Sequence, residues 1–130
     1  MIRGKENMMN DIKILVADDH DLVRKGLKNI LNVPPDMHVA GEAKSAEEVM
    51  GCLQDKKFDA LILDISLPGK NGLDILPDIK RNFPELPVVV FSIYPEKQFG
   101  QRARRAGASA YVCKGCEPSE LIETVRAIVH

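Results

Sequence analysis

Five short runs of branched aliphatic residues recur along the chain, and segments with helical spacing separate them. The first, third and fourth runs are almost continuously apolar, which favours strands buried on both faces of a parallel sheet. The predicted strands are Ile12–Ala17, His38–Ala43, Ala60–Ile65, Val88–Ser92 and Ala110–Lys114. Strand and helix alternate, so the sequence predicts five βα units and an α/β fold.

The segments between the strands carry apolar residues three and four positions apart, as helices with one buried face do. Ser45 and Glu48 have the spacing of a capping box at the start of the second helix. The apolar stripe of the first predicted helix consists of Leu22, Val23, Leu27, Ile30 and Leu31. That of the last consists of Leu121, Ile122, Val125, Ile128 and Val129.

Proline and glycine mark the limits of the later helices. The fourth helix is predicted to begin near Pro95 and to stop at Gly107, and the fifth to follow Pro118. Pro77 falls inside the third, where it removes a main-chain donor. It is expected to kink or interrupt that helix.

Composition indicates one globular domain and excludes several functions. The 130 residues are 45% hydrophobic and 28% charged, which suits a globular chain. Residues 1–10 are interpreted as a flexible extension and residues 11–130 as the domain. A net charge of −1 argues against direct DNA binding. No apolar run is long enough for a membrane span or an export signal, and the three cysteines are interpreted as reduced thiols, so a cytoplasmic location is expected.

Polar side chains stand at the ends of four predicted strands. Asp18 and Asp19 follow the first strand, Asp64 lies near the end of the third, Ser92 ends the fourth and Lys114 ends the fifth. Singly, such residues are more often helix caps, turn residues or solvated charges. Because ligands of open α/β sheets bind at the carboxyl ends of strands, four in succession predict a functional site.

The three aspartates converge if the strand order is 2-1-3-4-5. Two unit charges about 5 Å apart repel by roughly 3 kcal/mol at an effective dielectric constant near 20, so the cluster needs a cation or some of its carboxylates must be protonated. A hard divalent ion is the natural remedy. Oxygen ligands favour Mg²⁺ or Mn²⁺ over zinc. Asp64 leads into an accessible loop and is the candidate nucleophile toward phosphorus, with Lys114 offsetting charge and Ser92 hydrogen-bonding a phosphoryl oxygen.

The same residues resemble a known family. Asp18-Asp19-His20, the run DISLPG from Asp64, Ser92 and the run AGASAYVCK ending at Lys114 resemble the receiver domains of two-component response regulators. The resemblance covers nearly all of 12–129. The segments DDHDLVRKGL, GEAKSAEE and RAGASAYVCK are most similar to the NarL/FixJ subgroup, whose receivers precede a LuxR-type DNA-binding domain. It implies a flavodoxin-like (βα)5 fold in strand order 2-1-3-4-5, with helices on both faces.

The resemblance also implies a role for each site residue. Asp64 would take a phosphoryl group from a sensor histidine kinase, and Lys114 would pair with the phosphoryl oxygens. Ser92 and Tyr111 match the family's switch pair, in which the hydroxyl moves to the phosphate and the ring turns inward. The implied ligands of Mg²⁺ (or Mn²⁺) are Asp18, Asp19, Asp64 and the main-chain carbonyl of Ser66.

A receiver is a switch that assists its own phosphorylation and dephosphorylation, and is not classed as an enzyme. The implied output is transcription regulation through a C-terminal DNA-binding domain that this chain lacks, with a phosphorylation-dependent homodimer as a possible partner state. A stand-alone receiver acting through protein contacts is the alternative.

Gly115 replaces the proline of many receivers, so the loop at Lys114 is expected to be looser or differently shaped. Bulky Ile93 and Tyr94 predict slow self-dephosphorylation.

Other functions fit the motifs less well. Cys113 and Cys116 form a C-x-x-C pair, but a redox motif of this kind should begin a helix after an early strand. His20 is interpreted as a loop residue rather than a metal ligand. A flavodoxin-like cofactor binder would place its phosphate against the two aspartates after the first strand. An aspartyl-phosphate hydrolase needs a second aspartate where Ser66 stands.

Basic residues gather on the predicted fourth helix. They are Lys97, Arg102, Arg104 and Arg105. A solvated face is the plainer interpretation. Contact with a partner or an output domain is a hypothesis, because the resembling family uses the fourth helix, fifth strand and fifth helix as its output face.

Overall fold

A parallel five-stranded sheet in the order β2-β1-β3-β4-β5 forms the centre of the computed structural model, which describes residues 11–129. The strands are β1 (Ile12–Ala17), β2 (Met37–Ala43), β3 (Ala60–Asp64), β4 (Val88–Ser92) and β5 (Ala110–Cys113). The helices are α1 (Asp21–Leu31), α2 (Ala46–Asp55), α3 (Gly72–Asn82), α4 (Glu96–Ala106) and α5 (Pro118–Val129). The predicted fold and strand order are confirmed, and each strand ends within one residue of its predicted limit. The predicted extension, residues 1–10, and His130 lie outside the described residues.

Alternate residues of the strands feed two apolar cores, one on each face of the sheet. Leu61 and Leu63 of β3 pack into a core with α2, α3 and α4. Ile62, between them, packs on the other face with residues of α1 and α5. Every residue of β3 and β4 is buried, because helices cover both faces.

Helix α1 departs from the predicted apolar stripe at its first turn. Leu27 and Leu31 are buried as expected, but Leu22 is 83% exposed, while Arg24 is only 5% exposed. Arg24 precedes Leu27 by three positions, which places both on one helix face, whereas Leu22 precedes Leu27 by five positions and faces elsewhere. The prediction that Leu22 belongs to the buried stripe is therefore wrong, and a charged residue takes the inward position.

The cap of α2 confirms half of the predicted capping box. The Ser45 hydroxyl accepts a hydrogen bond from the Glu48 N–H at 3.2 Å. The Glu48 carboxylate accepts from the N–H of Lys44 at 2.9 Å, one residue earlier than a capping box requires. Both contacts still fix the chain where it leaves β2 and enters α2.

Helix α3 runs without interruption across Pro77, so of the two predicted outcomes, a kink or an interruption, the interruption does not occur. The Asn71 side chain accepts a hydrogen bond from the Leu73 N–H at 2.8 Å and caps the first turn. Leu76 and Ile79, on either side of the proline, are fully buried. Burial of this face outweighs the one main-chain hydrogen bond that proline removes.

The predicted limits of α4 and α5 are confirmed. Pro95 immediately precedes α4, and Gly107 follows it with φ 117°, the left-handed conformation that glycine adopts after a helix. Pro118 is the first residue of α5. Between these helices, β5 ends at the same edge of the sheet as β1, β3 and β4.

Candidate functional site at the carboxyl edge of the sheet

Strands β1 and β3 are neighbours, and both point their carboxyl ends at one edge. Asp18 follows β1 directly and Asp64 is the last residue of β3. Ligand atoms of Asp18, Asp19, His20 and Asp64 all lie within 4.8 Å of one another. The structure thus brings together the three carboxylates that the sequence predicted to converge.

Lys114 reaches this cluster from the position directly after β5, at the far side of β4. Its Nζ lies 2.8 Å from Asp18 Oδ2 and 3.3 Å from Asp64 Oδ2. The Lys114 N–H donates to the carbonyl oxygen of Ser92 at 2.7 Å, which fixes the main chain before Gly115. Lys114 therefore faces the aspartates even though glycine follows it where many receivers have proline.

Asp18 and Asp64 are both buried but have opposite pKa shifts. Burial raises the pKa of Asp64, and the nearby Lys114 charge opposes that rise without cancelling it. Burial acts on Asp18 in the same direction. However, hydrogen bonds from Lys114 and His20 outweigh it, and the pKa of Asp18 is lowered. Asp18 is thus the more firmly ionised of the pair, and Asp64 carries the less stabilised charge.

One oxygen of Asp64 has no hydrogen-bond partner. Asp64 Oδ1 accepts from the Ser66 N–H at 3.2 Å, whereas Oδ2 is the one buried side-chain oxygen or nitrogen without such a partner in the described chain. The Lys114 ammonium, 3.3 Å away, interacts with this oxygen as an ion pair. A buried, unsatisfied carboxylate oxygen facing two other carboxylates fits a hard divalent cation, which binds oxygen ligands.

Asp19 and His20 form the open side of the cluster. The His20 Nδ1 lies 2.9 Å from Asp18 Oδ1 and 3.1 Å from Asp19 Oδ1. The hydrogen bond with Asp18, followed by the charge of Asp19, raises the pKa of His20. His20 is a loop residue directly before α1, as predicted, and its ring bridges the two neighbouring carboxylates.

The loop after Asp64 closes tightly on β3 at Gly72. The Gly72 N–H donates to the carbonyl oxygen of Ile65 at 2.7 Å. A Cβ atom at position 72 would lie 2.3 Å from the main-chain oxygen of Asp64, far inside contact distance. Glycine is therefore needed here, because any side chain would push the start of α3 away from Asp64.

Ser92 and Tyr111 both contact the main chain of Tyr94, in the loop between β4 and α4. The buried Ser92 Oγ accepts from the Tyr94 N–H at 3.0 Å. The Tyr111 hydroxyl donates to the Tyr94 carbonyl oxygen at 2.8 Å, and its ring is buried. Burial raises the pKa of Tyr111. The two predicted switch residues are thus linked through the main chain of one loop residue, Tyr94.

Sequence reasoning missed Arg24, which lies beneath the cluster. Its Nη1 donates to the main-chain carbonyl oxygen of Asp18 at 2.7 Å, its Nε to Glu42 Oε1 at 3.0 Å, and its Nη2 to Asp21. The sequence did contain a signal for its burial: Arg24 lies three positions before Leu27, so a helix places it on the same face as the apolar residues. A charged residue at such a position must find partners when the helix packs.

The remaining sequence candidates lie apart from this cluster. All three cysteines belong to the described residues and are free thiols; Cys113 Sγ donates to the Tyr94 carbonyl oxygen at 3.4 Å. Arg102 lies over the Phe99 ring, 5.9 Å from its centroid. The basic residues of α4 are all exposed, as a solvated face requires. Within residues 11–129, no helix combines the length and apolar character needed to cross a membrane.

The geometry agrees with comparisons to known proteins. Residues 14–126 match the response regulator receiver domain family. The chain is 35% identical over 117 residues to the response regulator GacA of Pseudomonas syringae, covering 90% of this chain and 55% of GacA. It is 30% identical over 117 residues to the response regulator UvrY of Escherichia coli K12, covering 90% of this chain and 54% of UvrY.

A solved structure agrees in both fold and sequence. The two-component response regulator of the LuxR family from Aurantimonas sp. SI85-9A1 has a TM-score of 0.85 at 30% identity, covering 90% of this chain and 84% of that one. The receiver domain of the putative response regulator NarL from Mycobacterium tuberculosis has a TM-score of 0.86 at 22% identity, covering 92% of this chain and 97% of that one. At this identity the similarity shows the fold alone.

The fold and the acidic edge define an α/β signalling domain of the receiver type. The chain belongs to the response regulator receiver family of two-component systems, and its relatives include LuxR-family regulators. The predicted resemblance is confirmed. The chain spans about half the length of the curated relatives it matches.

Proposed function

We propose that the chain is a phosphorylation-controlled switch in which Asp64 accepts a phosphoryl group from a sensor histidine kinase. The observation that carries this proposal is the buried Asp64 Oδ2, which has no hydrogen-bond partner and faces Lys114 and two further carboxylates. A buried carboxylate oxygen without a hydrogen-bond donor is costly to keep buried. Its position suits a group that gains partners only when a metal ion and a phosphoryl group arrive.

The proposed reaction depends on Mg²⁺, with Mn²⁺ as a substitute. Asp18, Asp19, Asp64 and the main-chain carbonyl of Ser66 would hold the ion. When bound, the ion would offset the negative charge of the carboxylates and of the transferring oxygens. Its preference for oxygen ligands matches this donor set.

The chain's own residues supply the rest of the chemistry. An Asp64 carboxylate oxygen forms a bond to phosphorus while the bond from phosphorus to the kinase histidine nitrogen breaks and its electron pair returns to that nitrogen. Lys114, already 3.3 Å from Asp64 Oδ2, would pair with the phosphoryl oxygens. The result is an acyl phosphate in place of a buried carboxylate.

Ser92 and Tyr111 would turn the new phosphoryl group into a changed surface. The Ser92 Oγ accepts from the Tyr94 N–H, and a hydroxyl that accepts one hydrogen bond can donate its proton to a phosphoryl oxygen. Movement of Ser92 toward the phosphoryl group would pull on the N–H side of Tyr94, whose carbonyl oxygen accepts the Tyr111 hydrogen bond. The loop between β4 and α4 would shift as a unit, and α4 with it.

The proposed output is transcription regulation through a C-terminal DNA-binding domain outside this chain, in the cytoplasm. Relatives of twice the length support it, among them the transcriptional regulatory protein DegU of Brevibacillus brevis. A phosphorylation-dependent homodimer belongs to the same proposal, as does partner contact by the exposed basic face of α4. A stand-alone receiver that acts through protein contact is the second candidate, and the exposed basic face of α4 is what favours it.

The test is phosphorylation by acetyl phosphate in the presence of Mg²⁺, read by intact mass. We expect the mass increment of one phosphoryl group, its loss when Mg²⁺ is chelated, and its loss in Asp64→Asn. Asp55→Asn is the matched control, because Asp55 is an exposed carboxylate at the opposite edge of the sheet. An increment that persists in Asp64→Asn would contradict the proposal.

Slow self-dephosphorylation remains a prediction from the bulk of Ile93 and Tyr94. Ile93 is 71% exposed and Tyr94 37% exposed, so their replacement leaves the core intact. We expect Ile93→Ala combined with Tyr94→Ala to shorten the lifetime of the phosphorylated protein severalfold. Loss of the mass increment over time measures it. A wild-type lifetime of only seconds would contradict the prediction.

A further inference from the structure

Arg24 is a buried cation that satisfies three acceptors at once. Its guanidinium donates to the Asp18 carbonyl oxygen at 2.7 Å, to Glu42 at 3.0 Å and to Asp21. These acceptors belong to the loop after β1, to the end of β2 and to the first turn of α1. A planar guanidinium can hold three differently placed acceptors, whereas a lysine ammonium acts as a point charge.

The peptide that Arg24 holds is the one that joins Asp18 to Asp19. The Asp18 N–H donates to the Ala43 carbonyl oxygen at 3.0 Å, which continues the pairing of β1 with β2. The Asp18 carbonyl points to Arg24 instead. The main chain is thus fixed on both sides of Asp18, at the point where β1 ends and the acidic loop begins.

Asp19 depends on this main-chain placement more than Asp18 does. The Asp18 carboxylate is 1% exposed and is held by Lys114 and His20. The Asp19 side chain is 36% exposed, and its ion-pair contact within the described chain is the His20 ring, itself 63% exposed. The direction of the Asp19 carboxylate therefore follows from how the preceding peptide is oriented.

Arg24 makes these contacts without occupying the oxygens of the site. It bonds to the carbonyl of Asp18, while the Asp18 and Asp64 carboxylates interact with Lys114. Buried ion pairs are often no more stabilising than apolar residues of similar volume. The arrangement is therefore better explained by the orientation it imposes than by a contribution to folding.

We infer that Arg24 is a positioning residue for metal binding: by fixing the peptide between Asp18 and Asp19, it aims the Asp19 carboxylate at the cation. The inference rests on the proposed function, because it assigns Arg24 to the metal-dependent step. It predicts that loss of Arg24 weakens metal affinity, and that the phosphorylation rate at saturating metal stays close to that of the wild type.

The experiment measures Mn²⁺ binding to the full chain by electron paramagnetic resonance, with Mg²⁺ as competitor. Arg24→Lys and Arg24→Met are expected to raise the dissociation constant for Mn²⁺ about tenfold or more, the usual effect of losing a residue that orients metal ligands. Lys28→Gln is the matched control: Lys28 also pairs with Glu42, at 3.0 Å, but is exposed and does not touch Asp18. It should bind Mn²⁺ as the wild type does.

A double-mutant cycle tests the route through Asp19. In an Asp19→Asn background, adding Arg24→Lys should change Mn²⁺ affinity by less than about twofold, because the carboxylate that Arg24 aims is already gone. An undiminished tenfold effect in that background would overturn the inference. So would a wild-type dissociation constant in Arg24→Lys with only a lowered melting temperature, which is what a structural role predicts.

The folding of the variants is checked by circular dichroism at the assay temperature. If Arg24→Met fails to fold, Arg24→Lys decides, and unfolding of both would assign Arg24 a structural role and overturn the inference. Failure of the proposed function has a different signature. Wild-type protein that binds Mn²⁺ but takes no phosphoryl group from acetyl phosphate refutes the phosphoacceptor role of Asp64, while the Mn²⁺ comparison still decides the role of Arg24.

Discussion

The two edges of the sheet are made from the same five strands but bury opposite kinds of side chain. All buried polar or charged residues of the described chain lie at the carboxyl edge: Asp18, Arg24, Asp64 and Ser92. At the amino edge, Phe58, Phe83 and Leu86 line a groove whose charged residues lie at its rim. The comparison teaches that the polar side chains of the carboxyl edge are costly to bury. The stability of this domain therefore comes from its apolar residues.

The largest expected effect tests the amino edge. Phe58 is buried against Gly41, in the same core as Leu15, so Phe58→Ala should lower the free energy of unfolding by about 3 kcal/mol. Urea denaturation measures this loss. Phosphorylation at saturating Mg²⁺ should be unchanged wherever the variant is folded. A loss of phosphorylation as complete as that of Asp64→Asn would break the separation between the two edges.

The next effect tests the carboxyl edge in the opposite direction. Asp64→Asn should abolish phosphorylation and yet raise the free energy of unfolding by roughly 1 kcal/mol, because a buried carboxylate with an unsatisfied oxygen is removed. Thermal and urea unfolding in the presence of a metal chelator measure the gain. Asp55→Asn, which alters an exposed carboxylate, should leave stability nearly unchanged. A destabilised Asp64→Asn would show that the carboxylate supports the fold.

The same variant predicts a pH dependence. The folded pKa of Asp64 lies above its usual value of 3.8, so the folded state holds this proton more tightly than the unfolded state does. The associated stabilisation is complete below the usual value and is lost as pH rises through the raised pKa. The amount by which Asp64→Asn exceeds the wild type in free energy of unfolding should therefore grow with rising pH. Denaturation of both proteins across this range, without metal, measures it, and an advantage that shrinks would contradict the sign.

The smallest expected effect concerns a polar residue at the carboxyl edge with a structural role. Ser45 caps α2 just after β2 ends. Ser45→Ala should lower the free energy of unfolding by about 1 kcal/mol and leave phosphorylation and metal binding unchanged. Ser45→Asp, which can still cap, is the control. Altered metal binding in Ser45→Ala would mean that Ser45, at the carboxyl edge, affects the metal site as well as the stability of α2.

Local pattern was a good guide wherever burial and periodicity agree. The runs of aliphatic residues located all five strands, because a strand covered on both faces must be apolar along its length. The pattern was wrong at Leu22, which it assigned to the buried stripe of α1. In the structure Leu22 is exposed and Arg24 is buried. At Pro77 the pattern allowed for an interruption that does not occur, because a sequence rule for isolated helices does not count the packing of Leu76 and Ile79.

The sequence by itself determined which residues stand at the carboxyl ends of the strands, and therefore that Asp18, Asp64 and Lys114 could share one edge. Only the tertiary structure decided how close they come: Lys114 meets Asp18 across 96 positions of chain. It also decided that one oxygen of Asp64 is left unsatisfied and that Arg24 lies beneath the acidic loop. The reason is that periodicity reports the face of an element, whereas distances and hydrogen-bond partners depend on how separate elements pack.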